Sequence, residues 1–220
     1  DGRVSVIRLD GSEFHDVFRD THWLSHFQFS PDNPDIAMFC HEGPWNYVQQ
    51  RIWMINMNTG DIWPCFRQTE DDCVGHEFWA QNGDVIFDNR RGGHDGTISN
   101  SKSQVYASEH VSAEIPYFGF AHKDGKVYRK INMPFYCNHY FANGDLSMFA
   151  GDAVDDILLI QPAEDGTAKM KILAHHNTTW HYQRSHCHPT FSWDGKKLLY
   201  AVDTDEWHDN LFLVDVPESI

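Results

Sequence analysis

A unit made of a histidine, an apolar strand, a tight turn and a returning apolar strand recurs four times along this chain. The histidines that begin the units are His26, His76, His139 and His186, separated by 50, 63 and 47 residues. The turns contain Asn, Asp and Gly, which tolerate the positive φ of tight hairpins; they lie at residues 31–34, 82–83, 143–144 and 194–195. A repeat of about 40 to 50 residues is typical of a propeller blade.

The repeat predicts an all-β fold, because helical periodicity is nowhere sustained and a further strand signal follows each hairpin. We expect residues 1–220 to form a single β-propeller domain with four-stranded antiparallel blades. Residues 2–8 read as a strand from the middle of a blade, so we expect further blades upstream. A single up-and-down sheet or a sandwich is the alternative, but recurrence of the whole unit favours radial repetition.

The hairpins predict that functional side chains gather on one rim, because the first residue of an entering strand lies beside the last residue of the returning one. The expected neighbours are His26 with His41 and Glu42, His76 with Asp88, Arg90 and Arg91, His139 with Asp152, and His186 and His188 with Asp203. These residues would surround the mouth of the central channel, where ligands often bind. The alternative is a structural histidine that bonds the next blade, and we assign that role to His139.

A Q-x-x-H-x-H segment at Gln183, His186 and His188 is the pattern most suggestive of a metal site. Alternate strand residues face the same side, so the two histidines can bind one ion, while Gln183 must reach it from a turn. The alternative is two surface histidines in a chain that has 15.

Composition limits the partners. The chain has 17 basic and 32 acidic residues and a formal charge of -15, which argues against a nucleic-acid groove. An anionic ligand would need a local positive centre, and a bound metal ion can supply one. No apolar run approaches the roughly 18 to 20 residues of a membrane span. Five cysteines without a C-x-x-C pair indicate reduced thiols, so we expect a cytoplasmic protein, with the periplasm as the alternative.

Six segments resemble, in order, those of the oligogalacturonate lyases, which are polysaccharide lyases with a seven-bladed propeller. They are residues 25–31 (SHFQFSP), 38–45 (MFCHEGPW), 51–53 (RIW), 75–79 (GHEFW), 183–189 (QRSHCHP) and 191–197 (FSWDGKK). The resemblance implies a Mn2+ ion and β-elimination on short galacturonides from pectin, such as di- or trigalacturonate. It implies His76, Gln183, His186 and His188 as metal ligands and His26 as the catalytic base. The family chain is nearly twice as long, so this chain would be its C-terminal part, with about four of the seven blades.

The chemistry suits these groups. Removing a weakly acidic proton beside a carboxylate requires a base near neutral pH, and histidine has an ordinary pKa of about 6.5. The donor set does not choose between Mn, Fe, Co, Ni and Zn.

His41, Arg90 and Arg91 are candidate substrate contacts, with a solvated basic turn as the alternative for the two arginines. We read residues 98–120 as an insertion over the rim.

Two other functions stay open. A non-catalytic propeller that binds a protein partner would use the histidines only as bonds between blades. A lyase for a different polyuronate would keep the metal and the base. A G-x-S-x-G nucleophile motif and phosphate-binding glycine loops do not occur in the sequence.

Overall fold

The computed structural model describes residues 2–44, 47–90, 116–133, 136–180, 186–205 and 208–220. Seventeen strands and no helix occur in these ranges. Accordingly, the described residues contain no helix with the length and apolar character needed to cross a membrane.

The strands form five antiparallel sheets that follow one another along the chain. The N-terminal pair consists of β1 (Gly2–Ile7) and β2 (Phe14–Asp20). The first blade consists of β3 (Trp23–Phe29), β4 (Ile36–Glu42), β5 (Ile52–Asn56) and β6 (Ile62–Pro64). The second consists of β7 (Val74–Trp79), β8 (Val85–Asn89), β9 (Tyr117–Ala121) and β10 (Val127–Asn132). The third consists of β11 (Tyr140–Ala142), β12 (Phe149–Asp152), β13 (Asp156–Pro162) and β14 (Ala168–His175), and the fourth of β15 (Thr190–Phe191), β16 (Lys197–Asp205) and β17 (His208–Asp215).

This arrangement confirms the predicted all-β propeller with four blades. Within each blade the strands are ordered as they occur in the sequence, so each is joined to the next by a hairpin. Gly83 and Gly195 adopt φ of 84° and 69° at two of the predicted turns, where a residue with a Cβ would be strained.

The middle strands of a blade carry continuous apolar runs because neighbouring blades cover both faces. Every residue of β8 and β9 is buried, whereas β10, at the outer edge, alternates between covered and exposed positions. Between the second and third blades, the rings of Phe118 and Phe149 lie 4.7 Å apart. The blades are therefore held together by sheet-on-sheet packing of aromatic and branched side chains.

The first strand of each blade lies innermost. β3 contacts β7, and β11 contacts β15, across the blade boundaries. The histidines that begin the repeats consequently lie on adjacent inner strands, as His26 and His76 do, or just before them, as His139 and His186 do.

One expectation about the second blade is corrected by the structure. Residues 98–120 were read as an insertion, but Tyr117–Ala121 is β9, the third strand of the blade. The further strand signal that follows this hairpin in the sequence, at residues 125–131, belongs to β10, the fourth strand of the blade. The Gly119 position lacks a side chain because the Phe87 ring occupies that space: a Cβ there would lie 2.5 Å from the ring carbon Cζ. The remainder of the run, residues 98–115, lies outside the described residues.

Candidate metal centre and base

His26 and Glu77 form a hydrogen-bonded pair across the boundary between the first and second blades. The Nδ1 atom of His26 lies 2.8 Å from Oε1 of Glu77. The Glu77 side chain is fully buried, whereas that of His26 is 36% exposed and therefore open to a ligand. This arrangement directs Nδ1–H to the carboxylate and leaves a lone pair on Nε2.

Arg51 joins this pair to a second carboxylate. Its Nε donates to Oε2 of Glu77 at 2.8 Å, and its Nη1 donates to Oε1 of Glu42 at 3.1 Å. Arg51 is buried between the two carboxylates. Its single positive charge therefore balances one of their two negative charges. One negative charge is left beside His26 when the imidazole is neutral.

The hydrogen bond to Glu77 raises the pKa of His26 above its ordinary value, although partial burial acts in the opposite direction. Protonated His26 would cancel the remaining negative charge of the group, which explains the direction of the shift. His26 is thus oriented and electrostatically prepared to accept a proton.

Four further histidines continue from His26 around the rim. The ring centroids of His26 and His76 are 6.4 Å apart, and those of His76 and His139 are 4.4 Å apart. His139 lies 3.6 Å from His188 and 5.2 Å from His186. We call His76, His139, His186 and His188 the histidine cluster.

The histidine cluster has donor atoms suited to a metal ion. His139, His186 and His188 each offer one ring nitrogen, and these three nitrogens lie within 4.8 Å of one another. His76 adds a buried Nδ1 that makes no hydrogen bond within the described residues. Imidazole nitrogens are common ligands of Mn, Fe, Co, Ni and Zn, so the residues present fit such an ion.

Burial favours the neutral form of two of these imidazoles, His76 and His188. Burial and the neighbouring His139 lower the pKa of His76 well below its ordinary value. The same two causes, in the same order, lower the pKa of His188 to about 4. A neutral imidazole offers its lone pair to a cation at neutral pH.

Two buried aspartates hold the histidine cluster in place, each from the end of the second strand of its blade. Asp88 accepts a hydrogen bond from the backbone N–H of His76, and Asp152 accepts one from that of His139. Asp152 also bonds Nδ1 of His139 at 2.7 Å and accepts from the backbone N–H of His188 at 3.2 Å. A carboxylate behind an imidazole is the usual way that proteins orient a metal-binding histidine.

Backbone strain coincides with the site. His26 and His188 have φ of 51° and 45°, and Trp180, whose ring lies 5.7 Å from that of His186, has φ of 55°. Positive φ is uncommon for non-glycine residues and clusters at functional sites, although Phe66 and Leu146 also show it elsewhere in this fold. The register of β3 shifts between Ser25 and Gln28, so His26 lies in a β-bulge that redirects its side chain.

The structure thus brings together most of the predicted site residues. His26, His76, His186 and His188 lie along one rim, as expected. Gln183 and Arg91 lie outside the described residues. Asp88 and Asp152 lie beside their predicted histidines, while the Asp203 carboxylate bonds Thr179.

Two expected substrate contacts are placed differently. His41 and Glu42 are successive residues of β4, so their side chains point to opposite faces of the sheet. Glu42 contacts Arg51. The His41 side chain therefore faces the other way, toward Asp20. Arg90 lies near Asp88 as predicted, with 3.9 Å between Nε and Oδ2, but it is buried against the ring of Tyr136. The alternative of a solvated basic turn is therefore wrong for Arg90.

Three features of the site were not identified from the sequence, namely Glu77, Arg51 and the central position of His139. His139 was assigned a structural role, although it occupies the same place in its repeat as His76 and His186. That equivalence was the available signal. Glu77 lies next to His76, but its partner His26 is 51 residues away, and no local pattern indicates the pair.

Comparison with known proteins agrees with this fold. The sequence model of the oligogalacturonate lyase family matches residues 2–220. An oligogalacturonide lyase of Pectobacterium atrosepticum is 26% identical over 98% of this chain, and an oligogalacturonate lyase of Dickeya dadantii is 25% identical over 99%.

Two solved structures share the fold. An oligogalacturonate lyase in complex with manganese superposes with a TM-score of 0.76 at 22% identity, covering 98% of this chain and 54% of that one. An oligogalacturonate lyase of Vibrio parahaemolyticus gives a TM-score of 0.77 at 22% identity, covering 98% and 55%.

A β-propeller with a histidine-rich rim is the class that fold and site define. Within that class, the chain belongs to the oligogalacturonate lyase family. It spans about half the length of the curated relatives it matches, 56% in both cases.

Proposed function

We propose that this chain carries the base and the metal ligands of an enzyme that cleaves short galacturonides from pectin by β-elimination. The observation that carries the proposal is the position of the His26–Glu77 pair next to the histidine cluster. A base and a cation site on adjacent inner strands would meet the same uronate residue.

His26 is the proposed base. With its Nδ1 proton on the Glu77 side, Nε2 accepts the C5 proton of the uronate. The C4–O bond to the leaving sugar then breaks, that oxygen takes a proton from water, and a C4–C5 double bond forms. Such proton abstraction is typically worth about 10²- to 10⁴-fold in rate.

His76, His186 and His188, together with Gln183 by resemblance, are the proposed ligands of Mn2+. Their neutral donors would leave the charge of a bound cation to stabilise the uronate carboxylate as negative charge builds up on it. The histidine cluster also puts His139 within reach of the same ion. Di- and trigalacturonate are the proposed substrates, and the cytoplasm is the proposed compartment.

Turnover of digalacturonate by the full-length protein tests this proposal. The ultraviolet absorbance of an unsaturated uronate should rise with wild-type protein and stop on addition of a chelator. His26→Ala should abolish the rise while Mn2+ binding persists. His122→Ala, which removes an exposed histidine from another part of the second blade, is the control and should retain activity.

The same assay separates the alternatives. Activity on another polyuronate but not on galacturonides would reassign the substrate. No chelator-sensitive product from any uronide would contradict the enzymatic proposal and favour a binding scaffold.

A further inference from the structure

A second group of potential metal ligands lies where the N-terminal pair meets the first blade. Asp20 ends β2, His22 follows in the connection to β3, and His41 lies near the end of β4. Nδ1 of His22 is 2.9 Å from Oδ1 of Asp20, and Nε2 of His41 is 3.3 Å from Oδ2 of the same carboxylate. We call Asp20, His22 and His41 the junction triad.

The junction triad is compact enough for one ion. Its three ligand atoms all lie within 4.8 Å of one another. The rings of His22 and His41 stack almost in parallel, with centroids 4.0 Å apart and 3° between their planes. Each ring has a nitrogen near an oxygen of the Asp20 carboxylate, and binding one shared ion would tilt the two rings out of this parallel stack.

His41 supplies an independent indication of a ligand. Its side chain is only 7% exposed, and its Nε2 is buried without a well-formed hydrogen bond in the described part of the chain. A buried polar nitrogen without such a bond costs free energy. Directed at a carboxylate oxygen 3.3 Å away, this nitrogen is suited to a cation between them.

The junction triad is separate from the proposed catalytic site. His41 and Glu42 are consecutive residues of β4, so their side chains point to opposite faces of the sheet. Glu42 bonds Arg51 on the face that carries His26. No residue of the junction triad belongs to the histidine cluster.

We propose that the junction triad binds a second divalent transition-metal ion. Two imidazoles and one carboxylate suit Zn2+, Co2+ or Ni2+, and the ion would keep open positions for water. Because Asp20 belongs to the N-terminal pair and His41 to the first blade, the ion would join two sheets. Its proposed role is structural.

Metal stoichiometry tests the proposal. Purified protein is loaded with Co2+, and bound metal is measured by elemental analysis together with the visible Co2+ spectrum. Wild type should bind two equivalents. His22→Gln and Asp20→Asn should each lose one equivalent, and His188→Ala should lose the other.

The matched control is His122→Gln. His122 is 56% exposed and pairs with Asp84 at 2.9 Å, much as His22 is 50% exposed and pairs with Asp20 at 2.9 Å, but it has no second histidine partner in the described residues. This variant should keep both equivalents. Because His22 is exposed, its substitution should leave the fold intact, which near-ultraviolet circular dichroism checks.

The outcomes distinguish this proposal from the catalytic one. If His22→Gln and Asp20→Asn bind as much Co2+ as wild type, the second site is refuted. If wild type binds a single equivalent of Co2+ and His188→Ala loses it, the second site is refuted and the histidine cluster is supported. If one equivalent is bound and lost only with His22→Gln and Asp20→Asn, the junction triad is supported and the metal part of the proposed function fails.

Discussion

At the scale of single residues, the rim histidines are held by buried carboxylates. Glu77 orients His26, and Asp152 orients His139 and the backbone of His188. In both cases the carboxylate is fully buried, which makes its hydrogen bonds stronger than they would be in water. Replacing either carboxylate by its amide should retain the shape and change the electrostatics.

We expect Glu77→Gln to shift the acidic limb of the kcat/KM profile to lower pH. Glu77 raises the pKa of His26, and neutral His26 is the active form in the proposed mechanism, so activity should fall as the pH drops through that raised pKa. Without the carboxylate the pKa of His26 falls, and the limb moves with it. The maximal kcat should drop by about 10²-fold because the imidazole loses its orienting partner.

The control for this experiment is Glu13→Gln, which removes the carboxylate beside the exposed His15. Its pH profile should match wild type. An unchanged acidic limb in Glu77→Gln would show that His26 is not the group that titrates in catalysis.

We expect Asp152→Asn to weaken Mn2+ binding by about 10- to 100-fold, the usual effect of losing the partner of a metal-binding histidine. Isothermal titration with Mn2+ measures the change. Asp84→Asn, which alters the partner of the exposed His122, should bind Mn2+ as wild type does. If Asp152→Asn binds Mn2+ as tightly as wild type does, the hydrogen bonds from Asp152 to His139 and His188 do not contribute to metal binding.

At the scale of strands and blades, polar contacts across a boundary position the site. Arg51, which directly precedes β5, bonds Glu42 at the end of β4 and Glu77 on β7, so one guanidinium connects the first blade to the second. The β-bulge at His26 brings its ring to the same boundary. A matching shift in β7 between Val74 and Glu77 accompanies His76. These irregular strand segments aim side chains that a regular strand would direct elsewhere.

We expect Arg51→Met to lower the free energy of unfolding by about 3 to 5 kcal/mol, because it leaves two carboxylates without their buried cation. Urea denaturation measures the change. Arg19→Met is the control: Arg19 pairs with Asp16 while its side chain is 62% exposed, so its removal should cost less than about 1 kcal/mol. Similar losses for the two variants would mean that the buried network contributes no more than a surface ion pair.

At the scale of the whole molecule, the histidine cluster connects three blades. His76 lies on the second blade, while His139 and the His186–His188 segment precede the first strands of the third and fourth. One cation shared by these residues would therefore stabilise the packing of blades. The protein is acidic overall, with a formal charge of -15, and a bound cation would be the main local attraction for an anionic sugar.

We expect Mn2+ at 100 times its Kd to raise the free energy of unfolding by about 2.7 kcal/mol, since an ion that binds only the folded state stabilises it by mass action. Thermal unfolding with and without Mn2+ measures this gain. His188→Ala should lose most of it, and Mg2+ should not replace Mn2+ because imidazole ligands disfavour it. A gain that is unaffected by His188→Ala would place the stabilising ion elsewhere.

The sequence by itself determined the blades and the identity of most rim histidines. Strand alternation and turn residues are local signals, so the hairpins beginning at His26, His76, His139 and His186 were readable from one stretch each. The third strand, Tyr117–Ala121, was missed because 27 residues separate it from the end of β8, the strand with which it pairs.

Only the tertiary structure decided which side chains act together. The partners His26 and Glu77 lie on adjacent blades, and their hydrogen bond depends on a bulge whose position local propensity does not encode. His41 and Arg90 lie at the expected strand ends, but the direction of their side chains was not readable from the sequence: His41 faces Asp20, and Arg90 is buried against Tyr136. Contacts between blades arise when the sheets pack, and packing is a property of the assembled core rather than of any single segment.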